Sequence, residues 1–146
     1  MTVKVSDRSE SKVEYVEQMR QLCVRVAQIT ANGPKKYRAT YADELMRLSL
    51  QAVGCVTAAN AMYVSTQADF EERRRLLQKG RALTYSIEAA AKLYLDTVAA
   101  TNAQSKAKSY ARMADLGERL NRERGLIKGV LDSDRKRYNA RKAVSR

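Results

Sequence analysis

The sequence contains no histidine, and this absence narrows the chemistry that the chain can support. Histidine is the commonest general base and metal ligand, and it is the usual partner of a catalytic serine or cysteine. The two cysteines, Cys23 and Cys55, are too few for a structural zinc site. Gly33–Pro34–Lys35 lacks the spacing of a phosphate-cradling loop. We therefore expect a protein that is not an enzyme, with no catalytic residue, no bound metal and no cofactor.

Proline and glycine are also scarce, with one proline and six glycines among 146 residues. Few helix breakers in a long chain indicate few, long secondary-structure elements. The aromatic residues are eight tyrosines and one phenylalanine, whereas a sheet protein normally carries more β-branched and aromatic runs. The abundant Ala, Leu, Lys, Arg, Glu and Gln favour helix. The composition predicts an all-α protein whose cysteines are small buried side chains and not a disulfide.

Four helical segments follow from the spacing of the apolar residues. In this prediction a left-handed Gly33 ends the first helix, and the Thr40 hydroxyl caps the second with Asp43 three residues on. The segments run from about Asp7 to Thr30, from Thr40 to near Val64–Ser65, from Asp69 to about Thr101–Asn102, and from Ala103–Ser105 past Arg135. Short connectors make neighbouring helices antiparallel. The predicted architecture is an up-down-up-down four-helix bundle over residues 1–134, followed by a basic C-terminal tail, 135–146, that is a frayed helix or mobile.

The fourth segment has the weakest apolar stripe. Tyr110, Met113 and Leu120 trace it, and Arg124 interrupts it. From Asp132 onward the stripe fades and basic residues dominate. We therefore expect the last helix to bury Tyr110 and to lose its packing near the tail.

The formal net charge is +12 and the isoelectric point is about 10.0, an excess that points to a negatively charged partner. Nucleic acid, an anionic membrane and an acidic protein are the candidates. No run approaches the ~20 apolar residues of a membrane span, and the N-terminal sequence MTVKVSDRSESK lacks an apolar signal region. We expect a cytoplasmic protein that does not bind a membrane.

The basic side chains cluster at three places in the chain. These candidate nucleic-acid contacts are Lys35, Lys36 and Arg38 in the first connector, then Arg73, Arg74, Arg75, Lys79 and Arg81 on the third helix, and finally Arg135, Lys136, Arg137, Arg141 and Lys142 in the run that ends at Arg146. Such side chains neutralise phosphates of RNA or DNA whatever the base sequence. Tyr37 and Tyr138 lie in basic stretches and could stack on unpaired bases, unless Tyr37 packs against the bundle end. No base-reading motif is recognisable.

The second basic cluster also has a simpler interpretation. Glu71 and Glu72 precede Arg73–Arg75, so the second cluster could be a solvated helix face. Pairs of acidic residues at helix starts typically interact with the helix dipole and do not act in catalysis.

The second and third helices carry more alanine than one core can use. This surplus either supports helicity alone or becomes buried in a homo-oligomer, which would sum the positive charge of its subunits.

One local pattern resembles a known four-helix-bundle group. It consists of GPKK at 33–36, YRATY at 37–41, Glu44–Leu45 and a Leu- and Ala-rich helix that reaches Ala59–Asn60. The group contains the accessory variability determinant proteins of diversity-generating retroelements and the ribosomal-RNA intervening-sequence proteins. The likeness covers the four-helix plan over most of the chain, is most telling from Pro34 to Leu50, and does not include the basic C-terminal extension.

The resemblance implies a pentameric, positively charged barrel that binds nucleic acid and a reverse transcriptase and contributes no catalytic residue. Our leading hypothesis is therefore a non-catalytic nucleic-acid-binding accessory protein, a homo-oligomer that associates with a reverse transcriptase in mutagenic retrohoming. A helical adaptor that binds an acidic protein is the alternative. An enzyme that uses carboxylates with a metal is a third possibility.

Overall fold

Long helices account for most of the chain in a computed structural model, which describes residues 5–144 and, of their side chains, those at 13–142 and 144. The helices are α1 (Val5–Ala31), α2 (Asp43–Ala61), α3 (Gln67–Thr101) and α4 (Lys106–Val144). No strand occurs between residues 5 and 144, so the predicted all-α class with four helices is confirmed. None of these helices is both long and apolar enough to cross a bilayer. The predictions for residues 1–4 and for Arg146 lie outside the described residues.

The connector between α1 and α2 differs from the prediction at both of its ends. No described residue has a positive φ, so Gly33 does not end α1 in a left-handed conformation. Glycine is required there because a Cβ would overlap the hydroxyl oxygen of the buried Tyr94. Thr40 does not cap α2, since it lies inside a π-helical segment, Arg38–Ala42, that runs directly into that helix.

A capping box starts α3 at Gln67, two residues before the predicted start at Asp69. The Asp69 backbone N–H donates to the Thr66 hydroxyl at 3.1 Å, and the Thr66 backbone N–H donates to the Asp69 carboxylate at 3.0 Å. This reciprocal pair satisfies two backbone donors at the helix start. Hydrogen bonds from Ser65 and Thr66 also lower the pKa of Asp69.

The hydrophobic core lies among all four helices. α1 packs against α2 and α4, and α3 packs against the same two helices. α2 and α3 approach closely at Gly80, where a Cβ would lie 3.0 Å from Val56 Cγ1. Cys55 is buried and Cys23 is half-buried, and both are free thiols, as predicted. Fully buried large side chains fill the centre: Tyr15, Met19, Leu45, Leu77, Ile87, Tyr94, Leu116, Leu120 and Ile127.

Arg124 ties α4 to α3 inside the core, where it is 8% exposed. Its Nε donates to the Thr84 hydroxyl at 2.9 Å, and its guanidinium pairs with the Glu88 carboxylate. The guanidinium also lies 3.9 Å from the Tyr85 ring centroid. These partners satisfy the charge, so the core tolerates an arginine. The expectation that Tyr110 is buried is wrong, because it is 55% exposed and the buried face of α4 is rotated away from it.

The segment predicted as a tail belongs to α4, which crosses from residue 134 to 135 without a break and continues to Val144. The Tyr138 ring stacks on Phe70 with centroids 4.4 Å apart, and its hydroxyl donates to the Gln67 side-chain oxygen. Arg141 Nη1 donates to the Val64 carbonyl at 3.0 Å. These contacts hold the end of α4 against the start of α3.

Candidate nucleic-acid interface

The first basic cluster, Lys35, Lys36 and Arg38, occupies the exposed connector between α1 and α2. Tyr37, between these residues, packs against the core and meets the Tyr41 ring edge-on, with centroids 5.8 Å apart. The Tyr37 ring is therefore engaged inside the protein. The interpretation that it packs against the bundle end is confirmed.

The second and third clusters, far apart in the sequence, meet at the other end of the bundle. Arg74 of α3 lines the same cavity, of ≈370 Å³, as Lys128, Arg135 and Lys142 of α4. We call these four residues the C-terminal basic surface. Its three α4 members are spaced by seven residues, or about two helical turns, and therefore lie on one face of the helix.

The acids close to this surface engage Arg73 and Arg135 but not Arg74 or Lys128. Asp134 pairs with Arg73, below the surface. Asp132 lies 3.8 Å from Arg135, where both side chains are well exposed, and such pairs contribute little. Arg74 and Lys128 are exposed and take part in no ion pair with another described side chain. The local potential is therefore positive, as polyanion binding requires.

Arg73 has a structural role that the sequence did not reveal. Its Nε donates to Asp134 at 2.6 Å, and only 14% of its side chain and 12% of the Asp134 side chain are exposed. Its Nη1 also donates to the Ala59 carbonyl at the end of α2. An arginine held in this way joins three helices and cannot reach a phosphate without losing these bonds. We therefore remove Arg73 from the candidate contacts.

The rest of the second cluster is divided. Arg75 forms an exposed ion pair with Glu72 at 2.7 Å on its own helix, as the solvated-face interpretation expects. Lys79 is exposed, one turn further along α3. Arg81 is half-buried, and its Nε has no hydrogen-bond partner within the described chain. The structure does not bring Arg81 or Arg75 into the C-terminal basic surface.

The remaining residues of the third cluster lie around the end of α4. Lys136 and Arg137 are exposed on the helix surface. Arg141 is fixed to the Val64 carbonyl, and Lys142 Nζ lies 5.2 Å from the Tyr138 ring centroid. This predicted cluster is therefore presented by an ordered helix and not by a loose tail.

The two basic ends of the molecule are well separated. Lys108 and Arg112 line a cavity of ≈320 Å³ with Gly33 and Pro34, beside the first cluster. Between Arg112 and residue 135 the helix rises about 35 Å, which corresponds to about 10 base pairs of duplex. A ligand that contacts both ends at once must be at least that long.

Sequence reasoning missed Lys128 at the interface, although a signal for it was available. Lys128, Arg135 and Lys142 follow each other at a strict interval of seven, and this interval keeps residues on one side of a helix. The expectation that order ends near residue 134 obscured the pattern. The row of cations from Lys128 to Lys142 therefore crosses the boundary that was predicted between residues 134 and 135.

A second unforeseen feature is Glu123, which is fully buried with no hydrogen-bond partner for either carboxylate oxygen among the described residues. Burial raises its pKa to about 8, and the neighbouring Glu14 carboxylate adds to the effect. The Glu123 side chain is therefore neutral near pH 7. Within residues 13–142, no three His, Cys, Asp or Glu side chains gather as a possible metal site.

Comparisons with protein-family models, with curated proteins and with solved structures found no match. The likeness to accessory variability determinants therefore stays a prediction from the local sequence pattern.

Proposed function

We propose that this protein binds nucleic acid without sequence preference and performs no catalysis. The observation that carries the proposal is the row of Lys128, Arg135 and Lys142 on one face of α4, which shares a cavity with Arg74 of α3. Lysine and arginine side chains in such a row neutralise phosphates and release the counterions bound to them. Arg73 is not part of the proposed surface, because Asp134 engages it.

Binding of this kind positions a nucleic-acid backbone and does not read bases. From Lys128 to Lys142 the helix rises about 21 Å, or about six base pairs of duplex. Contacts to phosphate and sugar fix register but carry no sequence information. The proposed surface therefore binds both RNA and DNA.

The scaffold in this proposal is an up-down-up-down bundle. Two ion pairs between α1 and α4 support it: Glu14 pairs with Arg122, and Arg25 pairs with Asp115. The partners follow in opposite order along the two helices, as antiparallel packing requires. The short connectors between successive helices favour the same arrangement.

An apolar patch on α1 and α2 favours self-association. Val24 is 58% exposed and Leu50 is 60% exposed, and both line a cavity of ≈610 Å³ with Cys23, Val53 and six charged or polar side chains. Contiguous exposed apolar groups mark interaction surfaces. A homo-oligomer built through this patch, a pentamer by resemblance, would present several basic surfaces to one nucleic acid. Association with a reverse transcriptase in mutagenic retrohoming rests on the resemblance alone.

Matched charge removal tests the proposed surface. One variant replaces Arg74, Lys128 and Arg135 with glutamine, and a control replaces the three residues of the first basic cluster. Affinity for a random-sequence duplex is measured by fluorescence anisotropy at several salt concentrations. The slope of log K against log salt should become shallower by about 2.7 in the first variant and by less than about 1 in the control. Equal changes in both variants would contradict the assignment.

A helical adaptor for an acidic protein is the second candidate, in which the patch around Val24 and Leu50 would contact the partner and the net charge of +12 would select an acidic one. The two candidates differ in what holds a co-purified partner. Affinity purification before and after nuclease treatment separates them. A protein partner retained after nuclease supports the adaptor, whereas loss of all partners supports nucleic-acid binding.

A further inference from the structure

A larger cavity, of ≈740 Å³, lies at the same end of the molecule, between the α2–α3 connector and the last turns of α4. We call it the terminal groove. Its volume falls within the ~300–1,000 Å³ that is typical of ligand sites. One wall is a row of α4 residues spaced four apart: Gly125, Gly129, Ser133, Arg137 and Arg141. Consecutive residues at this spacing are neighbours on the helix surface, and the row as a whole winds about 160° around α4 from Gly125 to Arg141.

The small residues in this row give the groove its depth. A Cβ built at Gly125 or Gly129 meets no atom within 4 Å, whereas one at Gly80 meets Val56 at 3.0 Å. Helix packing therefore explains glycine at 80 but not at 125 or 129. Glycine weakens a helix, so two of them beside open space need another explanation.

The facing wall carries an aromatic ring that is open to solvent. Tyr63 belongs to the connector after α2, lines the groove, and is 83% exposed. Arg141 Nη1 donates to the carbonyl of Val64, the next residue, and so fixes the connector beside α4, while the other guanidinium N–H groups of this exposed side chain make no hydrogen bond with a described residue. A base that entered the groove would find the face of Tyr63 accessible.

The charges around the groove favour an anion. Its two acidic residues are already engaged, since Glu14 pairs with Arg122 at 2.7 Å and Asp134 pairs with Arg73 at 2.6 Å. Arg137 is exposed and makes no hydrogen bond or ion pair with another described residue. Its guanidinium therefore remains available beside the groove.

We propose that the terminal groove binds an unpaired nucleotide of a single-stranded nucleic acid, with its base on Tyr63 and its flanking phosphates on Arg137 and Arg141. This inference rests on the proposed function and adds a preference for single strands to it. Bases inside a duplex are stacked on both sides and cannot use the ring, so a duplex is held through its backbone only. The α4 row rises about 6 Å from Arg137 to Arg141, which places both cations along one strand.

Two pairs of variants test the groove. Tyr63→Ala removes the ring, and Tyr110→Ala is its control, since Tyr110 is also exposed but lies near the start of α4. Gly129→Leu fills the groove, and Gly54→Leu is its control, because a Cβ at Gly54 also meets nothing within 4 Å. Circular dichroism checks that all four variants are folded.

Fluorescence anisotropy is recorded with an oligothymidylate and an oligouridylate of about 16 nucleotides, and with a duplex of equal length. We expect Tyr63→Ala to weaken single-strand binding by about 5- to 150-fold, the effect of one lost base stack, and duplex binding by less than about twofold. Gly129→Leu should act in the same direction, and neither control should. A loss confined to one oligonucleotide supports the groove and identifies it as a DNA or an RNA site.

The proposed nucleotide site in the terminal groove would be refuted if both groove variants kept the wild-type affinity for single strands. It would also be refuted if duplex affinity fell as much as single-strand affinity. The proposed function would then still stand, because the wild type would bind both probes at low salt. A wild-type protein that binds neither probe at low salt would instead overturn the proposed function itself.

Discussion

The buried carboxyl of Glu123 should make this protein less stable as the pH rises from 5 to 8. Its pKa in the folded protein is about 8, raised first by burial and then by Glu14, against an ordinary value of 4.5. Above pH 4.5 the unfolded chain loses this proton, while the folded chain keeps it until about pH 8. The stabilisation is therefore complete below pH 4.5 and is lost as the pH rises through 8.

The magnitude follows from the difference between the two pKa values. Each unit corresponds to about 1.4 kcal/mol, so the whole interval corresponds to roughly 5 kcal/mol in the free energy of unfolding, of which about 3.5 kcal/mol is lost between pH 5 and pH 8. The chain has no histidine, so no other side chain with an ordinary pKa titrates between pH 5 and 8. The protein therefore offers an unusually clear background for this measurement.

Urea unfolding at pH 5, 6, 7 and 8 is the assay, followed by circular dichroism. Glu123→Gln should abolish most of the pH dependence and be more stable than the wild type at pH 8. Glu118→Gln is the matched control, since Glu118 is exposed on the same helix, and it should keep the wild-type dependence. Stability that does not change between pH 5 and 8, or a Glu123→Gln protein with the wild-type slope, would refute the reasoning.

Three further predictions concern packing and assembly. Gly33→Ala should destabilise the fold by about 1–3 kcal/mol, because the new Cβ overlaps the buried Tyr94 hydroxyl. Thermal unfolding measures this loss, and an unchanged Tm would contradict it. Asp134→Ala should cost about 3 kcal/mol in urea unfolding, since it leaves Arg73 enclosed without its partner, and a loss below about 0.5 kcal/mol would contradict that role. Leu50→Glu should lower the mass seen by analytical ultracentrifugation if the α1–α2 patch joins subunits, whereas an unchanged oligomer would exclude the patch.

Helix number and most helix ends could be predicted from the sequence because their signals are local. The capping box that starts α3 also has a local signal, Thr66 with Asp69 three residues later. The prediction did not use this signal and began the helix at Asp69, two residues too late. No capping residue marks the start of α2, because the π-helical segment Arg38–Ala42 runs directly into it. The prediction that Thr40 caps α2 failed for this reason.

Contacts between residues far apart in the chain could not be predicted from the sequence. Arg73 belongs to a run of three arginines, and nothing near it in the chain indicates that Asp134 will engage it. The rotation of α4 that buries Glu123 and exposes Tyr110 depends equally on the other helices. The sequence located the basic clusters, whereas the structure was needed to bring two of them together and to remove one of their members.

The salt dependence of nucleic-acid binding tests the central proposal most directly. Purified protein is titrated onto a random-sequence duplex between about 50 and 200 mM salt, and log K is plotted against log salt. If all four members of the C-terminal basic surface contact phosphates, the slope for the duplex should be about −3.6. Affinity that does not change with salt, or no binding at the lowest salt, would contradict the proposal.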